Sequence, residues 1–422
     1  MMKAFTGWQY LLIDAANQFG HDKLSFEERI AWTTNNMHNL EKLAEDNDFK
    51  ERPLYLKAVM AIRAAQRNEP TGHLVGFDAV CSGMQIASAM AGCYAGAQAT
   101  GLVDLDRRAD AYTDVTTKMA NLLGNTVTIA RKKVKNAVMT ALYASKKEPK
   151  KEFGEDTPEL DAFWKALYAV APGACDLLED MIKTWVPYAL SHSWKLPDGF
   201  TAHVKVMVPV EHRIEVDELS HSTFEYRYLA NIGQRSGVKN PANIIHSVDA
   251  YVLRSLLRRC NYDTAHFTRV AKLISIERFN RRQGSVQLNT QRPSRPAIAV
   301  SVIDYYVEQY QRSNMADVVI VPHIDNQNIR FLSDSHLIEL QAIVNTVLEY
   351  KPFEVIAVHD EFKCHPNHMN TLRNHYRNIL AELSDSELLT DLLCQIRGVE
   401  GSYEKASNNL GQFIRQSNYG LS

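Results

Sequence analysis

The sequence lacks several features that would place it in a specialised class. It has no apolar run of about 18 residues, so no transmembrane helix is predicted, and its N-terminus lacks the apolar stretch of a secretory signal. Its six cysteines are scattered without a C-x-x-C pair, which argues against a zinc or disulfide framework and favours a reducing cytosol. The formal net charge is only −2, so a polyanionic partner would have to be bound through local charge.

The 422 residues are enough for two or three domains with a large core. Short apolar segments predict strands over 71–80 and 353–358, and alternating residues between 200 and 228 predict a hairpin. We expect Pro149 and Gly154 to end the preceding helices, and residues 283–297 to form a loop. Helical patterns cover four longer stretches, 26–66, 106–147, 156–192 and 246–282.

Two acidic residues stand at the ends of predicted strands. Asp78 follows Leu74-Val-Gly-Phe77, and Asp360 follows Val355-Ile-Ala-Val-His359. A single such aspartate is more often a cap or turn residue than a catalytic one. Two carboxylates from separate strands, however, are what phosphoryl transfer with a pair of divalent cations requires, and oxygen ligands suit magnesium.

One predicted helix carries a mixed basic and aromatic face. Arg131, Lys135, Met139 and Tyr143 recur every four residues and therefore share one side of the helix. A solvated basic face is the plainer interpretation. The terminal tyrosine also suits a triphosphate lying along the helix with a base stacked at its end, where Lys135 would neutralise charge on the leaving phosphate.

Two regions are rich in basic residues. Residues 131–151 hold eight Lys or Arg and one acid, Glu148, whereas 254–295 hold ten Lys or Arg and two acids. Aromatic residues at Tyr262, Phe267 and Phe279 are interleaved with the second set. This combination is typical of contact with a nucleic-acid backbone, although either region taken alone fits a solvated helix face.

These motifs resemble the single-subunit phage and mitochondrial RNA polymerases. The first palm motif of that family is similar to Phe77-Asp-Ala-Val-Cys-Ser-Gly-Met-Gln85. The second resembles Arg131-x3-Lys135-x2-Val138-Met-Thr-x2-Tyr143-x-Ser145, and the third is the pair His359-Asp360. The resemblance covers the chain from about residue 9 to its end.

The resemblance also implies roles for other residues. Lys23, in Asp22-Lys23-x2-Phe26-x-Glu-Arg-Ile30, is similar to the family lysine that contacts the incoming nucleotide. His246, in Ile244-Ile-His-Ser-Val-Asp249, is similar to the histidine that hydrogen-bonds the ribose 2′-hydroxyl, and Tyr112 to a tyrosine near Tyr143. Trp194 to Phe200 resembles the segment that leads into the hairpin that contacts the promoter major groove.

The family implies an α+β fold, a right-hand polymerase palm with a small antiparallel sheet and largely helical fingers. We expect a first palm segment at 1–95, fingers at 96–245 with a hairpin near 200–230, and a second palm segment at 246–422 that ends in a C-terminal foot. The expected activity is DNA-directed RNA synthesis with two Mg²⁺ ions held by Asp78, Asp360 and the Ala79 carbonyl. Asp78, Asp360, Lys135 and Tyr143 would be catalytic, and Lys23, Arg131, Met139, His246 and Tyr112 would bind the nucleotide. DNA template, nascent RNA and NTPs would be the ligands, and no membrane is expected.

The chain also departs from the family pattern. It has no D-x-x-G-R motif and no segment matching the N-terminal domain or thumb, which predicts a heterodimer in which a second subunit supplies these parts. A promoter or single-strand DNA-binding factor is a further expected partner, in the cytoplasm of a phage-infected bacterium. Ala79 and Ala144 replace glycines, and Glu361 replaces a frequent serine. A basic insertion is expected at about 260–330.

Two alternatives remain at this stage. Val358-His-Asp-Glu361 also resembles the third motif of family A DNA polymerases, although the Asp78 motif lacks their D-Y-S-Q-I-E pattern. Met139 stands where those enzymes carry an aromatic residue, and His246 offers a ribose-binding group that a DNA polymerase does not need. The other alternative is a non-catalytic nucleic-acid-binding subunit, which would not need Asp78, Lys135 and Asp360 together.

Overall fold

The computed structural model describes residues 2–46, 49, 51–104, 106–124, 127–284 and 302–422. The described part is mainly helical with small antiparallel sheets, an α+β arrangement. No helix in these ranges is long and apolar enough to cross a membrane. The strands are β1 Val75–Asp78, β2 Ser191–Lys195, β3 Thr201–Lys205, β4 Met207–Val216, β5 Ser222–Asn231, β6 Ile356–Val358 and β7 Glu361–Cys364.

The helices lie mostly between these strands in sequence. They are α1 Gly7–Ala16, α2 Phe26–Asn35, α3 Leu40–Asp46, α4 Arg52–Gln66, α5 Ser82–Met90, α6 Tyr94–Ala99, α7 Ala111–Leu122, α8 Arg131–Ala141, α9 Lys147–Phe153, α10 Pro158–Val170, α11 Pro172–Ile182, α12 Asn240–Cys260, α13 Thr264–Arg282, α14 Val302–Ser313, α15 Asp334–Leu348, α16 Met369–Asp385, α17 Leu388–Arg397 and α18 Leu410–Ile414.

A three-stranded antiparallel sheet in the order β1-β7-β6 has one buried and one open face. Successive side chains of a strand point to opposite faces. Phe77 and Phe362 pair with each other and are buried in the main core. Asp78 is paired with Glu361 in register, so both lie on the opposite, open face. The sheet therefore carries an acidic edge on an apolar base.

The main hydrophobic core surrounds the buried face of this sheet. Helices α1, α5, α12 and α16 contribute fully buried side chains, among them Ile13, Met84, Val248 and Leu380. Helix α16 packs against both α12 and α5, so the chain after the sheet closes on the helices before it.

A second hydrophobic core lies entirely within residues 262–348. It joins α13, α14 and α15 through buried side chains such as Val270, Val307 and Leu340. We call residues 262–284 and 302–348 the second helical unit. Within this unit, α15 packs against α13.

Several predicted elements differ in detail. The helix expected over 26–66 is three helices, and the strand expected over 353–358 forms only at Ile356–Val358. Pro149 does not end a helix: it lies in the first turn of α9, where a missing N–H costs no hydrogen bond. The expected loop at 283–297 lies almost wholly outside the described residues.

The predicted hairpin is two consecutive hairpins. Strands β2 and β3 pair across a turn at residues 196–200, and β4 and β5 pair across a turn at 217–221. The second hairpin is exposed along most of both strands. It therefore projects from the body of the protein and is held mainly at its base.

Candidate active site

The two predicted carboxylates lie at the same edge of the three-stranded sheet. Asp78 is the last residue of β1, and Asp360 lies in the tight turn between β6 and β7. The Ala79 N–H donates to the Asp360 carbonyl at 3.1 Å. The turn is closed by His359 at φ 58°, in the left-handed region. Residues 282 positions apart in sequence are thus brought together by strand pairing.

Negative charge is concentrated around Asp78. Its pKa is raised to about 6 by burial of the carboxyl among protein atoms, and further by the charges of Glu361 and Asp360. The tip of the side chain still reaches solvent. Asp249 of α12 also has a pKa raised to about 6, by burial and then by Asp360. A bound cation would relieve this repulsion, and the oxygen donors suit magnesium.

Glu361 lies at this edge of the sheet as the first residue of β7, although the sequence motifs predict no role for it. It lies opposite Asp78 and forms an ion pair with Lys363 at 2.9 Å. A Cβ at Gly76 would lie 2.1 Å from a Glu361 carboxylate oxygen. A larger residue at position 76 would therefore displace the Glu361 side chain from its present place beside β1. The available signal in the sequence was the acidic third residue of the motif His359-Asp-Glu361.

A cleft of about 440 Å³ opens in front of this edge, and Asp22, Asp78, Arg108 and Glu361 are among its lining residues. Arg108 was also missed by the sequence argument. Its Nε donates to the Ser422 hydroxyl at 3.0 Å, and burial lowers its pKa despite the nearby charges of Asp22, Asp110 and Asp78. Only the fold brings these groups together, so no local sequence signal marks Arg108.

The predicted basic face of α8 is present and lies beside Tyr112. The Arg131 guanidinium is 5.4 Å and the Lys135 ammonium 5.7 Å from the centre of the Tyr112 ring. Arg131 is also held by an ion pair with Asp110 at 2.7 Å. Lys135 is exposed, and Met139 on the same helix is 47% exposed. The face is thus open to a ligand at Lys135 and Met139 and pre-positioned at Arg131.

Tyr143 and His246 meet just beyond the end of α8. Their ring centres are 4.6 Å apart, and burial raises the pKa of Tyr143 to about 12. A Cβ at Gly83 would lie 2.9 Å from the Tyr143 hydroxyl oxygen, so the glycine of the C-S-G-x-Q run makes room for it. Ala144, where the family has glycine, adopts φ 64°, which is strained for alanine.

The glutamine of the same run ties the chain end to this region. The Gln85 side-chain nitrogen donates to the carbonyls of Thr100 and Gly420, both at 2.9 Å. Leu421 forms an antiparallel bridge with Ala79, and the Ser422 N–H donates to the Asp78 carbonyl at 3.1 Å. The backbone beside Asp78 is therefore fixed from two sides.

Lys23 lies at the rim of this arrangement. It is half exposed and pairs at 2.8 Å with Asp22, which lines the cleft in front of Asp78. Elsewhere, the described residues contain one group of three His, Cys, Asp or Glu side chains whose ligand atoms all lie within 4.8 Å of one another. It consists of Glu215, Asp217 and His221, which are exposed at the tip of the β4–β5 hairpin.

A comparison with protein families gives the class. Residues 4–153 match the family model described as DNA-dependent RNA polymerase. The matched segment contains Lys23, Asp78, Tyr112 and α8, and it ends before His246 and Asp360. This part of the chain is therefore similar to the DNA-dependent RNA polymerases, whose ligands would be a DNA template, RNA and NTPs. A search of curated proteins found no match.

Proposed function

We propose that this chain is the catalytic subunit of a DNA-directed RNA polymerase. It would extend an RNA 3′ end at the sheet edge formed by Asp78 and Asp360. The observation that carries the proposal is the meeting of these carboxylates on one open sheet edge, together with a tyrosine–histidine pair whose tyrosine lies over Gly83 of the Asp78 motif. Carboxylates hold metal ions for nucleotide addition, and the ring pair offers hydrogen-bonding groups for the sugar.

Asp78 and Asp360, with the Ala79 carbonyl, would hold two Mg²⁺ ions. When bound, these ions would activate the RNA 3′-hydroxyl and stabilise the charge on the α-phosphate and the leaving pyrophosphate. The protein's own contribution is a rigid edge: strand pairing and the Leu421 bridge fix the backbone, and the buried face of the sheet anchors it.

Basic side chains would hold the triphosphate. Lys135 is exposed and points along the same face as Arg131, which is already fixed by Asp110 and Tyr112. Fixed cations stabilise developing phosphate charge without the cost of reorganising water. Lys23 at the rim would contact the outer phosphates, and Met139 would pack beside the base.

Tyr143 and His246 would select ribonucleotides. A group that hydrogen-bonds the 2′-hydroxyl discriminates against a deoxynucleotide because that group is then left unpaired. His246 is exposed, while the Tyr143 ring is held against Gly83, so the pair combines a fixed and an accessible member.

Asp360→Asn tests the proposed site. We expect nucleotide incorporation at saturating magnesium to fall about a thousandfold, because several kcal/mol of transition-state stabilisation depend on the metal ligands. Glu354→Gln is the matched control, an exposed acid just before β6. Incorporation by Asp360→Asn at the control rate would contradict both the site and the two-metal mechanism, whereas no incorporation by the wild-type complex would favour a non-catalytic nucleic-acid-binding subunit.

A family A-like DNA polymerase is the second candidate, and one observation favours it. Glu361 lies opposite Asp78 and completes the His-Asp-Glu pattern of that family. Incorporation of NTPs and dNTPs by the wild-type protein on one primed template separates the two activities. Preference for dNTPs would establish the DNA polymerase.

We also propose that a second subunit supplies the thumb, the N-terminal domain and the D-x-x-G-R motif; no D-x-x-G-R motif occurs in this sequence. The complex would act in the cytoplasm of a phage-infected bacterium, with a promoter or single-strand DNA-binding factor. Co-expression with neighbouring genes should yield a complex far more active than this chain alone. Robust templated synthesis by the isolated chain on single- and double-stranded DNA would contradict the second subunit.

A further inference from the structure

A buried ion-pair cluster joins the turn between β2 and β3 to helix α12. Asp198, in that turn, has a side chain that is only 1% exposed. It accepts hydrogen bonds from Arg254 at 2.6 and 3.1 Å and from Arg258 at 2.5 Å. The Arg254 guanidinium also lies 4.5 Å from the centre of the Phe200 ring. The turn is thereby fixed to the main body.

The second helical unit also contacts this turn, through α14 and through Asp317. Arg258 lies 3.5 Å from Asp317 of the unit, which links it to the Asp198 cluster. The Tyr305 hydroxyl of α14 donates to the Gly199 carbonyl at 3.0 Å. Gly199 has φ 85°, and a Cβ there would lie 2.9 Å from the Tyr305 ring. The close approach and the backbone conformation both require glycine at this position.

The other end of these strands carries the exposed β4–β5 hairpin. The Asn231 side chain donates to the carbonyls of Leu190 and Val206 at 2.8 and 2.9 Å. The Val206 N–H donates to the Leu190 carbonyl at 2.8 Å, and the Ile232 N–H donates to the Val206 carbonyl at 3.2 Å. The base of the hairpin is therefore hydrogen-bonded to the residue before β2 and to the residue after β3, which lie side by side at the open end of that strand pair.

Beyond its base, the hairpin has few buried residues that could fix its direction. Its two strands are mostly exposed, and its rings at His212, Tyr226 and Tyr228 stack on one another at 5.6–6.0 Å. An exposed hairpin of two strands is marginally stable alone and takes its orientation from its base.

We propose that the second helical unit is a brace that sets the orientation of the β4–β5 hairpin through the turn at 196–200. Tyr305 contacts the turn directly and Asp317 contacts it through Arg258. Strand β3 connects the turn to Val206, and Asn231 connects Val206 to the hairpin. Asp198 and Tyr305 are thus positioning residues. The consequence for template binding rests on the proposed function and on the expectation, from the family resemblance, that the hairpin contacts promoter DNA.

Tyr305→Phe tests the brace, with Tyr310→Phe as matched control. Both variants remove one hydroxyl from α14, but Tyr310 donates to Glu339 inside the second helical unit. Loss of one hydrogen bond of about 1 kcal/mol predicts roughly fivefold faster hydrogen exchange at the Val206 and Ile232 amides in Tyr305→Phe. In Tyr310→Phe these two amides should exchange at the wild-type rate.

Asp198→Asn should have a larger effect, at least about tenfold at the same two amides, because Arg254 loses its charged partner and Arg258 loses one of two. Equal exchange in wild type, Tyr305→Phe and any folded Asp198→Asn would overturn the brace. If Asp198→Asn does not fold, the Tyr305 and Tyr310 pair decides the question alone.

Kinetics separate the brace from the proposed DNA role of the hairpin. In Tyr305→Phe polymerase complex we expect the KM for a bubble-containing DNA duplex to rise several-fold, with kcat unchanged on an RNA-primed template. A general folding defect would lower kcat on both. Faster exchange with an unchanged KM would support the brace and contradict the proposed DNA contact of the hairpin.

Discussion

Two basic regions that look alike in sequence have opposite roles in the fold. Between 131 and 151 the cations are mostly lysines, and Lys132, Lys133 and Lys135 are exposed. Between 254 and 282 the cations are mostly arginines, and many are paired inside the protein. Arg254 and Arg258 bind Asp198, Arg259 binds Glu382, and Arg281 binds Glu277 and Asp334.

The residue type explains the difference. A guanidinium forms two parallel hydrogen bonds with a carboxylate and is weakly hydrated, so it suits buried pairs, whereas an ammonium stays in water. The aromatics of the second region differ too: Tyr262 and Phe267 are in the second core, and Phe279 is 62% exposed. The described part of this region is therefore mainly structural, and the expectation of nucleic-acid contact there is weakened.

The largest expected effect concerns stability in the arginine-rich region. Arg259 is 2% exposed and binds Glu382 through both terminal nitrogens. Arg259→Met leaves that carboxylate unpaired and should cost about 3–5 kcal/mol of unfolding free energy, measured by urea denaturation. Arg282→Met, at an exposed position, is the control. A loss below about 1 kcal/mol would mean that the pair is not structural.

The lysine-rich region should respond in activity instead. Lys135→Met should lower nucleotide incorporation about 100- to 1000-fold, because one fixed cation is removed from the phosphates. Its unfolding free energy should stay within about 0.5 kcal/mol of wild type, since the side chain is exposed. Lys132→Met, also exposed on α8, should leave both quantities nearly unchanged. A stability loss without an activity loss in Lys135→Met would reverse the comparison.

Acid should weaken the second helical unit through a buried histidine. His336 stacks on Tyr310 at 3.9 Å, and burial lowers its pKa to about 3. In the unfolded state this histidine binds a proton near pH 6.5, whereas in the folded state it does so only near pH 3. The free energy of unfolding is therefore unaffected by this group above pH 6.5 and falls as the pH is lowered toward 3. The loss should be about 1.4 kcal/mol per pH unit below 6.5. His336→Phe should flatten the urea-derived stability profile between pH 7.5 and 5, and an unchanged slope would exclude this histidine as the cause.

The smallest expected effect concerns sugar selection. Tyr143→Phe removes a hydroxyl near His246 and should lower the preference for NTPs over dNTPs about five- to tenfold, the equivalent of one hydrogen bond. Incorporation rates for matched NTP and dNTP pairs on a primed template measure it. Tyr168→Phe is the control, since Tyr168 is an exposed tyrosine of α10 with no proposed role in nucleotide binding. An unchanged ratio in Tyr143→Phe would remove this role.

Local sequence was sufficient to predict where several residues of short motifs lie in the fold. Asp78, Asp360, the α8 face and the Tyr143–His246 neighbourhood follow from strand ends and from four-residue periodicity joined to a family resemblance. Arg108 and Glu361 were not predicted as site residues, because their positions depend on the cleft and on strand register. The second core and the pairing of its arginines also depend on long-range packing, which a count of charges does not contain.

The central claim, that metal ions bind at Asp78 and Asp360, is tested most directly by replacing magnesium with Fe²⁺ and mapping hydroxyl-radical cleavage of the chain with ascorbate and peroxide. We predict cuts close to residues 78 and 360, which disappear in Asp360→Asn and are suppressed by excess Mg²⁺. Cuts confined to the Glu215, Asp217 and His221 cluster at the hairpin tip would contradict the claim.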